Sequence, residues 1–151
     1  MAIIAAALAV VSVLGHLFAT EELLLQQKAS DQWSYYQAKS IRRYQSEVAK
    51  DLFATMGSAN SEKKAEDYKG KAEGYKKDME EISKDATEKE KESRLRGHQA
   101  LCLHIGEIFL EIAIVFSSLA ILTKRPTLYW TAVSSSALGV VIAIGTVFVR
   151  G

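Results

Sequence analysis

Residues 101–122 read LCLHIGEIFLEIAIVFSSLAIL. A helix needs about 20 apolar residues to cross a hydrocarbon core of roughly 30 Å, and this run has that length. Only His104, Glu107 and Glu111 interrupt it with titratable groups of note. Working outward, two further runs share the character. Residues 2–19 (AIIAAALAVVSVLGHLFA) carry no charge, and neither do residues 126–149, whose apolar part begins at Leu128. Tyr129 and Trp130 stand at the head of that last run, where interfacial aromatics belong.

The whole-chain averages hide this. The 151 residues are 48% hydrophobic and 25% charged with a net charge of +1, and the mean hydropathy is +0.01. Those figures describe an ordinary soluble domain. Residues 20–100, however, hold 16 basic and 16 acidic side chains, leaving only Glu107, Glu111, Lys124, Arg125 and Arg150 elsewhere. The interspersed signs exclude the clustered basic footprint that nucleic acid requires. A single cysteine, Cys102, excludes an intrachain disulfide and a multi-cysteine metal site.

The fold expected is an all-α membrane protein with three transmembrane helices. They are assigned to residues 1–19, 101–122 and 128–151, with a short loop at 123–127. A cleaved signal peptide is the competing reading of the first run, but it lacks a basic n-region.

Between the first two spans, GSANS (57–61) is the one clear breaker cluster. After it, Ala65, Tyr68, Ala72, Tyr75, Met79, Ile82 and Ala86 follow strict heptad spacing. Before it, Trp33, Ile41, Tyr44, Val48, Leu52 and Met56 offer a looser stripe for the facing seam. Residues 20–100 are therefore expected to form an extramembrane antiparallel coiled-coil hairpin. Its turn would lie near 57–61, and each arm would reach roughly 50–60 Å at 1.5 Å per residue. A disordered charged linker is the alternative that the heptad spacing opposes.

Glu21, Glu22, Lys28, the Asp31-Gln32-Trp33 triplet, and Tyr35 through Lys39 with Ile41-Arg42 make a distinctive block. A second block is GEIFLEIAIVFSSLAILTKR, with Gly106, Glu107, Glu111 and Ser118. Together they resemble a bacterial membrane family known only as a domain of unknown function, number four-three-three-seven. The resemblance implies the three-span topology and the bacterial inner (plasma) membrane. It brings no activity with it. Members commonly carry a polar extension before the first span, whereas this sequence opens in the span.

Glu107 and Glu111 lie one turn apart, and His104 and Ser118 continue that face. Glu111 is roughly 15 Å from Leu101 along the helix, near a bilayer midplane. Ionisable groups there normally face a bundle interior or a water-filled path. Two such carboxyls cannot both ionise cheaply, so one is expected to hold or share a proton. A proton relay, a cation site or a cofactor contact is the functional reading. A helix–helix clamp through hydrogen bonds is the structural one.

His16 and His104 are expected at matching depth on antiparallel helices, a placement that could offer a haem or chlorophyll contact. Ala2, Ala5, Ala9, Ser12 and His16 on span one, and Ser135, Gly139 and Ala143 on span three, are small-residue faces suited to close packing. Trp33, Tyr35, Tyr36, Lys39 and Arg42 form a candidate partner-contact patch. No catalytic serine elbow or phosphate-binding glycine loop is present.

The side of the membrane that the hairpin occupies depends on the weighting. Counting Lys28, Lys39, Lys84, Lys89, Lys91, Arg94, Arg96 and Arg150 against Lys124 and Arg125 favours the cytoplasm. Weighting the short loop and Glu21-Glu22 reverses the answer. The expected function is a non-catalytic membrane subunit. Its partners would be lipid and other membrane-protein subunits or further copies of itself. The rival is a cofactor-binding or ion-conducting protein that uses His16, His104, Glu107 and Glu111.

Overall fold

The computed structural model describes residues 2–148. Three helices account for nearly all of them: α1 (Ala2–Thr55), α2 (Ala59–Thr123) and α3 (Pro126–Phe148). Each contains a stretch long and apolar enough to cross a membrane. Met1 and residues 149–151, Arg150 among them, lie outside the described residues.

The helix breaks have local causes. Gly57 takes a left-handed φ of 64°, which glycine adopts without steric cost. Ser58 then caps α2 reciprocally with Ser61. The Ser61 amide donates to the Ser58 hydroxyl (3.3 Å), and the Ser58 amide donates to the Ser61 hydroxyl (2.9 Å). The break therefore occupies residues 56–58, and Ala59–Ser61 already belong to α2. At the second break Lys124 is left-handed (φ 53°) and Pro126 opens α3. Proline suits the first helical position, where its missing N–H costs nothing.

The chain divides into two compact units. Among the described residues, the first comprises 2–24 and 92–148. Its core is Val11, Leu103, Leu110 and Ala143, flanked by Ile4, Leu8, Leu14 and Phe18. Helices α2 and α3 approach backbone to backbone. A Cβ built on Gly139 would stand 2.8 Å from the Gly106 carbonyl oxygen. Ala132 and Ala143 are buried on the same face of α3, and the Ser135 hydroxyl donates to the Phe109 carbonyl (2.7 Å). The small face of span three thus meets span two of the same chain. The small face of span one is divided: Ser12 and His16 meet α2, Ala2, Ala5 and Ala9 are exposed, and α1 buries Val11 and Gly15.

The second unit comprises residues 25–91. The α2 stripe behaves as its spacing predicts, with Ala72, Met79, Ile82 and Ala86 buried and Ala65, Tyr68 and Tyr75 half-buried. Its α1 partners run in reverse order: Phe53 stacks on Tyr68, Lys39 pairs with Asp78, and Trp33 donates to Glu90.

The α1 stripe does not fill the facing seam as expected. Ile41, Tyr44, Val48, Leu52 and Met56 are all exposed, and only Trp33 of that set is half-buried. Among the covered positions of α1, Ala29, Gln32, Tyr36, Lys39, Arg43, Ser46, Lys50 and Phe53 alternate three and four apart, with Trp33, Ser40, Glu47 and Ala49 half-buried beside them. Small residues and long amphipathic stems cover the α2 apolar side chains while the Lys39, Arg43 and Lys50 heads reach Asp78, Glu47 and Asp51. Ile41, Val48 and Leu52 lie about half a turn from this seam, so one helix cannot bury both faces against α2.

Candidate functional site

On the first unit, Ser12, His16, His104 and Glu107 come together between α1 and α2. His104 Nδ1 lies 3.0 Å from Glu107 Oε2. One proton sits between them, on the imidazole if the carboxyl is ionised and on the carboxyl if it is not. The Ser12 hydroxyl also hydrogen-bonds the Glu107 side chain. The His16 and His104 rings meet edge to face, with centroids 5.7 Å apart and planes inclined at 73°. Gly15 makes room for this, since a Cβ there would stand 3.3 Å from His104 Cε1.

Glu111 is placed differently from its neighbour. Leu103, Leu110 and Ala113 are fully buried and define the inward face of α2. Glu107 stands at the edge of that face with 19% of its side chain accessible. Glu111 and Ser118 project outward and are exposed. The face expected to carry His104, Glu107, Glu111 and Ser118 together is therefore split. Glu111 hydrogen-bonds no other described residue.

The His16 and His104 rings are thus held side by side, edge to face, between α1 and α2. A single-histidine contact to haem or chlorophyll would fall to His16, the more exposed ring. No group of three or more His, Cys, Asp or Glu side chains with metal-site geometry occurs among the described residues.

On the second unit the aromatic block is partly consumed by the α1–α2 contact. Trp33 Nε1–H donates to Glu90 Oε1 at 2.8 Å, and its ring meets Tyr36 edge on at 5.5 Å. Lys39 Nζ lies 2.7 Å from Asp78 Oδ2 and 5.3 Å from the centroids of both Tyr35 and Tyr75. The hydrogen bonds to Asp78 and then Tyr35 hold the Lys39 ammonium above the ordinary lysine value. Tyr35 and Arg42 remain exposed. Asp78, Glu90 and Ser12 escaped the sequence reading as partners, because pairing between distant segments leaves no local periodicity.

The family described as Domain of unknown function (DUF4337) matches residues 1–149. The chain belongs to the DUF4337 family. No curated protein and no solved structure matches it. In this DUF4337 chain the first block supplies Glu21, whose carboxylate pairs with Arg96 at 3.0 Å, as well as Trp33 and Lys39. The second block supplies Gly106, Glu107 and Glu111.

Proposed function

We propose that this chain is a non-catalytic integral membrane subunit. Its three helices would span the membrane, an antiparallel coiled-coil hairpin would join the first and second spans, and the spans would pack on a larger bacterial membrane assembly. The observation that carries this reading is the open polar and small-residue face of the first unit. Glu111 is exposed one turn beyond Glu107, and Ala9 and Ala5 are exposed beyond Ser12.

In a bilayer that carboxyl sits about 15 Å into its span. Leaving it against lipid costs at least a few kcal/mol, which a partner helix offering a hydrogen-bond donor removes. The exposed small residues Ala5 and Ala9 of α1 would let a partner helix approach closely. Affinity purification from native membranes in mild detergent tests this. The parent chain brings down a stoichiometric membrane partner, and Ala9→Leu and Glu111→Leu each reduce its recovery about tenfold or more. A monodisperse single chain would sink the proposal.

The Ser12–Glu107–His104 network, touching His16, favours a second reading in which protons pass along this face. Proton flux in liposomes distinguishes it: flux present in the parent and lost in Glu107→Gln supports transfer. An absorption band lost on His16→Ala would support the pigment or haem version.

A further inference from the structure

The outward face of α1 in the second unit has no role in either reading. Ile41, Tyr44, Val48, Leu52 and Met56 are between 56% and 68% exposed. Ile41, Tyr44, Val48 and Leu52 line a shallow groove with Gln45 and Ala49. From Ile41 to Leu52 the spacing is 3-4-4, that of an eleven-residue repeat, which keeps the stripe nearly straight along the helix.

The rest of the unit offers nothing comparable. Every exposed residue of α2 from 62 to 92 is Lys, Glu, Asp or Gly. The five side chains expose on the order of 600 Å², most of the ~800 Å² that each partner gives to a stable interface. A solvated patch of that size marks an association surface.

We propose that this stripe docks on the same stripe of a second copy, with the two α1 helices parallel and in register. Two features select a second copy. Gln37, Ser40, Gln45 and Ala49 flank the stripe without charge, and Asp51 at its edge is already paired with Lys50 of its own helix at 3.0 Å, so the stripe carries little electrostatic address for a foreign partner. A two-fold interface needs one self-complementary patch, which a straight, shallowly grooved apolar stripe on an exposed helix face provides.

The parallel sense rests on the membrane reading above. Copies inserted with one topology send α1 out of the membrane in the same direction, which places Val48 against Val48 and Ile41 against Ile41.

Single-cysteine variants of the full chain, made in a Cys102→Ser background and oxidised in native membranes, test this. Ile41→Cys, Val48→Cys and Leu52→Cys should each give a band at twice the chain mass. Lys50→Cys, on the seam side, should give at least tenfold less. In nanodiscs, Val48→Arg should weaken self-association by about thirtyfold or more with unchanged helix content, because the side chain is exposed within its own chain.

Cross-linking between co-expressed Ile41→Cys and Met56→Cys copies, without Ile41 homodimers, would overturn the parallel register. Cross-links only to a chain of another mass, or none, would overturn the second-copy proposal. Carbonate extraction of the same membranes reads the membrane assignment separately, so the two failures are distinguishable.

Discussion

Gly139→Ala puts the α2–α3 contact to a quantitative test. The added methyl would lie 2.8 Å from the Gly106 carbonyl oxygen, 3.0 Å from Leu110 Cγ and 3.3 Å from Leu110 Cδ2. None of these atoms can give way easily. The first is helical backbone, and Leu110 is fully buried. The helices must separate by roughly half an ångström, which forfeits about a quarter of the dispersion well across the contact. Overpacking of this kind costs about 1–3 kcal/mol.

The Ser135 hydroxyl bond to the Phe109 carbonyl, now 2.7 Å, lies one turn away and lengthens with the same movement. Its weakening adds up to about 1 kcal/mol. The total of about 2–3 kcal/mol is large where lipid removes the hydrophobic drive and packing itself holds helices together. The assay is reversible SDS titration in mixed micelles, following Trp130 fluorescence on α3. Gly145→Ala is the control, because nothing lies within 4 Å of its added methyl. It should be neutral or slightly stabilising. The close-approach argument fails if Gly139→Ala is as stable as the parent, or if Gly145→Ala loses as much.

Three further outcomes follow from the second unit. Gly70 and Gly74 sit in α2 with nothing within 4 Å of an added methyl, so each alanine substitution should stabilise the helix by up to about 1 kcal/mol, read as a higher melting temperature by circular dichroism. Trp33→Phe removes the donor to Glu90, and on this partly exposed contact the loss should be about 1 kcal/mol by the same measurement. Because the Lys39 ammonium is raised above the ordinary lysine value of about 10.4, its stabilisation is complete below that pH and declines as pH rises through the folded-state value. The stability difference between the parent and Lys39→Met should therefore be constant from neutral pH to about pH 10 and shrink above it. A difference that shrinks on acidification through neutral pH would contradict the assignment.

Much of the architecture was legible because it is written in local periodicity. The three charge-free or nearly charge-free runs give helices long and apolar enough to cross a membrane. The heptad spacing from Ala65 to Ala86 names the buried face of α2 without help from its partner. Gly57 and Pro126 mark both breaks to within a few residues, since left-handed backbone and a missing N–H are properties of single residues.

What faces what is another matter. Glu107 and Glu111 look equivalent at one-turn spacing, yet one is held by Ser12 and His104 and the other is exposed. Their difference depends on where α1 lies against α2, which no spacing within α2 encodes. The two faces of α1 make the same point more sharply. Hydrophobicity alone would turn Ile41, Tyr44, Val48 and Leu52 inward. The fold instead buries the stems of Lys39 and Arg43 beside Ser46, and gives Lys39 a partner in Asp78. The sequence by itself determined the helices, their breaks and their apolar stretches. Only the tertiary structure decided which apolar face was spent within the chain and which stayed outside, because burial is a relation between two surfaces and a sequence displays them one at a time.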